Sequence, residues 1–89
     1  MTLQQLEYII ALEEYGNFTR AADACGVTQP TISTMIQRLE AELGVAIFDR
    51  TRQPVVATDV GENIIAQAKV VLGEASKMDA LVQEQYATL

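Results

Sequence analysis

The chain of 89 residues is 49% apolar and 20% charged, with one cysteine, no histidine and a formal charge of −6. That length holds one modest core, and that composition belongs to a folded domain rather than a disordered one. A single thiol excludes an internal disulfide, the absence of histidine excludes a His-bearing zinc finger or a His-dependent triad, and no apolar run reaches the ~20 residues of a membrane span. No metal set, glycine-rich phosphate loop or nucleophile–base pair is present, so no catalytic residue, metal or cofactor is expected. The charge is unevenly spread. Residues 1–16 and 58–89 each carry −3, whereas residues 17–57 balance Arg20, Arg38, Arg50 and Arg52 against Asp23, Glu40, Glu42 and Asp49. All four arginines therefore lie in a neutral centre that can still present one positive face.

The first segment, Leu3 to Tyr15, lacks Gly and Pro and sets Leu3, Leu6, Ile9 and Ile10 at helical spacing. A second stripe, Tyr8, Leu12 and Tyr15, predicts contact with another surface besides its own core. Gly16 stops this helix. Asn17 or Thr19 caps a short second helix through Arg20 and Ala24, whose alanines permit close packing, and Gly26 ends it. Thr28 caps a third helix with Gln29 and Pro30 in its first turn, where proline's missing N–H costs nothing. Ile32, Ile36, Leu39 and Leu43 form its core stripe, and Pro30, Thr34 and Gln37 lie opposite, flanked by Thr31, Ser33 and Arg38. Gly44 closes it. Ile47-Phe48 and Val55-Val56 then predict a two-stranded ribbon whose tip carries Arg50 and Arg52.

Thr58 caps a last helix, with Asp59 and Glu62 near its positive end. It runs to about Ala87, some ~43 Å at 1.5 Å per residue, longer than so small a core can cover. Ile64, Ala68, Val71, Ala75, Met78 and Val82 fall at spacings of four and three, a heptad seam that predicts a dimer interface, with Gln85 and Leu89 continuing the register. Ile65 and Leu72 lie off the seam and are expected to face the domain.

Two short helices joined by a Gly turn, the second with an outer face of hydroxyls and amides, predict a helix-turn-helix. The first helix braces the second, whose N-terminal residues enter the ~12 Å major groove. Gln29 can pair with adenine through two atoms, Pro30 can meet a thymine methyl, and Ser33, Thr31 or Thr34 can reach bases or phosphates. Backbone N–H groups from Thr28 to Thr31, Pro30 excepted, offer a phosphate seat, and Arg50 and Arg52 fit a wing that tracks the DNA backbone or enters the adjacent minor groove.

The runs Phe18-Thr19-Arg20-Ala21-Ala22, Val27-Thr28-Gln29-Pro30-Thr31-Ile32-Ser33, Leu39-Glu40-Ala41-Glu42-Leu43-Gly44-Val45 and Phe48-Asp49-Arg50, with Thr58 and Gly61 opening the last helix, resemble the LysR-type bacterial transcription regulators. The resemblance spans essentially the whole chain. It implies a mainly α fold: a winged helix-turn-helix, three helices plus a two-stranded wing, over residues 1–58, then a long linker helix over 59–89 that dimerises. It also implies that Gln29, Pro30 and Ser33 are base-proximal, that Thr28, Thr31 and Arg50 meet phosphate and that Arg52 makes the wing contact. From their place on the outer face of the third helix, Thr34 is expected as a further base contact and Gln37 and Arg38 as further phosphate contacts. Thr34 stands where many relatives carry arginine, and Gln53-Pro54 stands where basic wing residues are frequent. Leu6 to Leu12 and Ala21 to Cys25 look most like the peroxide-sensing branch, yet Cys25 reads as a small packing residue.

The function expected is sequence-specific binding of double-stranded DNA at an interrupted palindrome, by a homodimer or a tetramer built from it. The setting expected is the bacterial cytoplasm, at the nucleoid and away from any membrane. Such regulators normally carry an effector-binding domain beyond the linker helix, so this chain is expected to be the DNA-binding part alone. The rival reading is an acidic helical module that dimerises or binds protein and never touches DNA.

Overall fold

A computed structural model describes residues 1–87. In chain order it contains α1 (Leu3–Tyr15), α2 (Phe18–Cys25), α3 (Gln29–Leu43), β1 (Phe48–Asp49), β2 (Val56–Ala57) and α4 (Asp59–Ala87). This is the expected mainly α architecture, three helices, an antiparallel ribbon and a long last helix. Each boundary has a local cause. Thr2 accepts from the Gln5 backbone N–H while the Gln5 side chain accepts from the Thr2 N–H, a reciprocal cap that starts α1. Asn17, rather than Thr19, caps α2 through a 2.9 Å bond from the Arg20 N–H. Thr28 caps α3, with Pro30 in the first turn as expected.

The core is continuous across all four helices. Ile9 and Leu12 of α1, Ala21 of α2, Ile32, Ile36 and Leu39 of α3, Ile47 and Ile65 are fully buried. Each large aliphatic among them contributes about 1.5–3 kcal/mol of transfer free energy. The two stripes of α1 do not serve two different surfaces. Tyr8 and Leu12 join the same core as Leu6 and Ile9, because α1 is packed by α2, α3 and α4 on different sides. Tyr15 and Leu3 remain exposed. Gln5, buried beside this core, spends its amide N–H on the Met35 carbonyl at 3.2 Å and ties α1 to the middle of α3.

The ribbon lies one residue beyond its expected position, pairing Phe48 with Ala57 and Asp49 with Val56. Val55 is drawn out of the ladder because its N–H donates to the Gly16 carbonyl at 2.9 Å and its side chain is buried. Thr58 opens α4 as expected. Its hydroxyl donates to the Ala46 carbonyl at 2.7 Å and accepts from the Gly61 N–H at 3.0 Å.

The heptad stripe of α4 is shared between two environments. Ala68 is 2% exposed inside its own domain, and Ile64 and Val71 pack partly against the same core. Ile65 and Leu72 face the domain as expected. Beyond Ala75 the domain ends, and Met78 and Val82 are 69% and 55% exposed. The expectation of one seam free along its length fails for Ala68, which α1 and its neighbours already cover. Gln85 lies on the exposed end, and Leu89 falls outside the described residues.

Glycine at 61 is dictated by close approach: a Cβ there would lie 1.9 Å from the Ile47 carbonyl oxygen. At Gly73 a Cβ meets nothing within 4 Å. Gly61→Ala is therefore expected to destabilise by about 3 kcal/mol, at the upper end of overpacking costs. Gly73→Ala should stabilise by about 1 kcal/mol through helix propensity. Urea midpoints of the two variants check both signs.

Candidate nucleic-acid interface

The Gly26 turn sets α2 and α3 as a helix-turn-helix, with α3 presenting its N-terminal half outward. Gln29, Pro30, Thr31, Thr34, Gln37 and Arg38 are exposed, Ser33 is half-buried, and Ile32, Ile36 and Leu39 point inward. The polar side chains on this face divide by use. The Thr28 hydroxyl caps the helix, accepting from the Thr31 N–H at 3.4 Å, and shares a 2.9 Å bond with the Thr31 hydroxyl. The Thr31 N–H is thus already occupied, which narrows the expected anion seat. Gln29, Ser33, Thr34, Gln37 and Arg38, by contrast, form no side-chain hydrogen bond or ion pair with the described residues. A row of unspent donors and acceptors beside a capped helix start is suited to an external polar partner.

The wing differs from expectation. Arg52 stands at the tip, 71% exposed, in a 3.6 Å contact with Asp49. Arg50 follows β1 directly and turns inward. Its Nη2 donates to Glu40 Oε1 at 3.0 Å, and its Cζ lies 5.1 Å from the centroid of the Phe18 ring. Glu40 Oε2 accepts the backbone N–H groups of Ile47 at 2.8 Å and Phe48 at 3.3 Å. One carboxylate thus joins the last turn of α3, the entry to the wing and the guanidinium stacked on the start of α2. Sequence reading missed this role because Glu40 counted there only as one acid among four. Its available signal was position, one residue after buried Leu39 and just ahead of the wing.

Of the six bases, Arg50, Arg52, Lys69 and Lys77 pair with carboxylates of the same chain, whereas Arg20 and Arg38 form no ion pair with the described residues. Arg38 lies on the outer face of α3 and Arg20 on α2, its Cζ 6.0 Å from the Tyr15 ring centroid. The two cations without an ion pair among the described residues therefore lie on the helix-turn-helix and not at the wing. At the wing, the Thr51 hydroxyl and N–H both donate to Asp49 and hold its carboxyl below the usual carboxylate value, the Arg52 charge adding a smaller push. A depressed folded pKa contributes order that is present above the unfolded value and lost as pH falls through the folded one. The tip therefore keeps this contribution at neutral pH and loses it only in acid below 3.8.

Comparison with known proteins matches residues 3–62 to the family described as bacterial regulatory helix-turn-helix protein, lysR family. The DNA-binding transcriptional dual regulator OxyR of Escherichia coli K12 is 42% identical over 89 residues, all of this chain and 29% of that protein. A full-length OxyR from Pseudomonas aeruginosa, solved as a cysteine variant, superposes with TM-score 0.89 at 48% identity, over 94% of this chain and 28% of that one. The BenM DBD in complex with catB site 1 DNA superposes with TM-score 0.92 at 33% identity, over 98% of this chain and 94% of that one. The chain spans under a third of the length of the curated relatives it matches.

Several of those relatives are hydrogen peroxide-inducible activators, which gives the state of Cys25 some interest. Cys25 closes α2, half-buried against the core. Burial, and secondarily the negative charge of Glu7, push its thiol above the ordinary 9.0. A raised pKa keeps the sulfur protonated and poorly nucleophilic at neutral pH. Iodoacetamide at pH 7.5 should therefore label Cys25 more slowly than an unstructured cysteine peptide, with the rate still rising at pH values where the peptide's rate has begun to level off; mass spectrometry of the alkylated fraction reads this.

Proposed function

The chain belongs to the LysR family of bacterial regulatory helix-turn-helix proteins, and we propose that it binds double-stranded DNA sequence-specifically as a homodimer, as the DNA-binding part of a transcription regulator. The observation that carries this reading is the outward row of Gln29, Thr34, Gln37 and Arg38 on α3, whose side chains have no hydrogen-bond or ion-pair partner among the described residues, beside a capped helix start. Likeness to the BenM DBD–DNA complex supports it. Gln29, Pro30, Ser33 and Thr34 read base edges, and Thr28, Thr31, Gln37 and Arg38 meet phosphates, with Arg50 and Arg52 at the wing. Functionally, residues 1–58 carry the DNA contact and 59–89 the pairing, although the inner side of α4 up to Leu72 also serves the core. No helix among the described residues is long and apolar enough to cross a membrane, and we place the protein in the cytoplasm on DNA.

Met78, Leu81, Val82 and Tyr86 form an exposed apolar stripe on a helix that has left its domain. Such a stripe is suited to a second copy, and two copies present two α3 helices to half-sites about one helical turn, or a multiple of it, apart. The rival reading, a protein-interaction module, draws on the same stripe and on the charge of −6.

Selection from a random duplex pool at about 0.1 M salt, where long-range attraction is screened, decides between them. An enriched interrupted palindrome is expected; a folded dimer that enriches nothing favours the interaction module. On the selected site, Gln29→Ala should cost about 1–3 kcal/mol and relax base preference, while leaving affinity for random duplex nearly unchanged. Arg38→Ala should weaken all sequences alike and flatten the log–log salt dependence by about 0.9 per protomer. Met78→Asp should shift the protein toward monomer in sedimentation.

A further inference from the structure

We propose that Glu40 is a positioning residue that fixes the wing to α3 and holds the charge of Arg50 in check, so that binding depends less on sequence-independent phosphate attraction. This rests on the DNA-binding reading above. The placement of Glu40 is not explained by helix stability. It lies in the last turn of α3, where a carboxylate meets the negative end of the helix dipole. Its compensation comes from outside the helix, through two backbone N–H groups on one oxygen and the Arg50 guanidinium on the other. Its side chain is 16% exposed and that of Arg50 is 30% exposed, so the pair is partly sheltered and better defined than the Arg52–Asp49 contact.

The two oxygens therefore do separable work. Oε2 orients the chain as it leaves α3 for β1, because Ile47 and Phe48 are the residues whose N–H groups it receives. Oε1 holds Arg50 between the Phe18 ring and α3 and cancels its charge there. An amide at position 40 distinguishes the two functions. Its oxygen can still accept from Ile47 and Phe48, whereas its NH2 cannot accept from a guanidinium. Glu40→Gln should thus leave the wing docked and release Arg50.

The test measures binding of random-sequence duplex across a salt series for the parent chain, E40Q, R50A and the double variant E40Q/R50A, with circular dichroism to report folding. E40Q is expected to bind random duplex more tightly, by up to about eightfold per protomer at ~0.1 M salt. Its salt slope should steepen by about 0.9 per protomer, the release of one more counterion each. Arg50→Ala should remove this gain and flatten the slope more in E40Q than in the parent chain. A purely structural Glu40 predicts weaker binding and no change of slope, and either result in folded E40Q overturns the assignment. A gain that persists in E40Q/R50A over R50A overturns it too, since mere removal of a negative charge then suffices. Should E40Q fold poorly, R50A alone still decides. Flattening less than half of that given by Arg38→Ala supports the assignment, and flattening equal to it overturns it. If the parent chain and E40Q bind no duplex at any salt concentration while both remain folded, the DNA-binding reading itself falls, a result distinct from unchanged affinity.

Discussion

The wing has only two bridged residue pairs, too few to stand in water unaided. Everything about residues 45–58 follows from the need to hold so short a ribbon from outside. Three elements do so. The turn after α1 receives the Val55 N–H on the Gly16 carbonyl, α3 supplies the Glu40 carboxylate, and α4 supplies the Gly61 N–H that fixes the Thr58 hydroxyl and the space that Gly61 leaves for the Ile47 carbonyl. Ile47, Phe48 and Val55 are buried as a result. The wing is thus a surface feature built on the domain's interior, and its conformation is inseparable from helix packing.

Much of this was legible in the sequence, and the parts that were not share a cause. Helix limits were readable because caps and terminators act locally: Thr28, Gly26, Gly44 and Thr58 do their work within a few residues. The core stripe of α3 and the length of α4 were readable because periodicity records which side is dry. What periodicity cannot supply is the identity of the surface that dries it. Tyr8 and Leu12 looked like a second face, yet three neighbouring helices enclose α1 from different directions. Ala68 looked like a seam residue for the same reason. Its spacing was right, but the covering surface is its own domain.

The candidate interface was legible in a similarly divided way. The outward placement of Gln29, Thr34, Gln37 and Arg38 follows from their being out of phase with Ile32, Ile36 and Leu39. The pairing of Arg50 with Glu40 spans ten residues and a change of secondary structure, so no local pattern records it. Counting four arginines against four acids gave the centre its neutrality but not its arrangement. Two arginines on the helix-turn-helix form no ion pair with the described residues, and two are held beside the wing. An acidic chain can therefore offer a positive face of limited extent, which discourages indiscriminate attraction to polyanions.

The passage of α4 from inside the domain to outside it, without a break in the helix, also has a geometric consequence. Gly61, Ile65 and Ala68 seat its first turns in the core, and the departing segment continues the same helix without a break. Residues 76–87 make up roughly 18 Å of this helix at 1.5 Å per residue. The compass bearing of the exposed stripe is thereby phased to α3 through one continuous helix. Adding one residue to that helix would turn the stripe by about 100° around its axis, and two copies paired through it in the proposed way would no longer turn their α3 helices to the same side of a duplex. The count of residues between the core and the stripe is, in this sense, a ruler for rotation as well as for length.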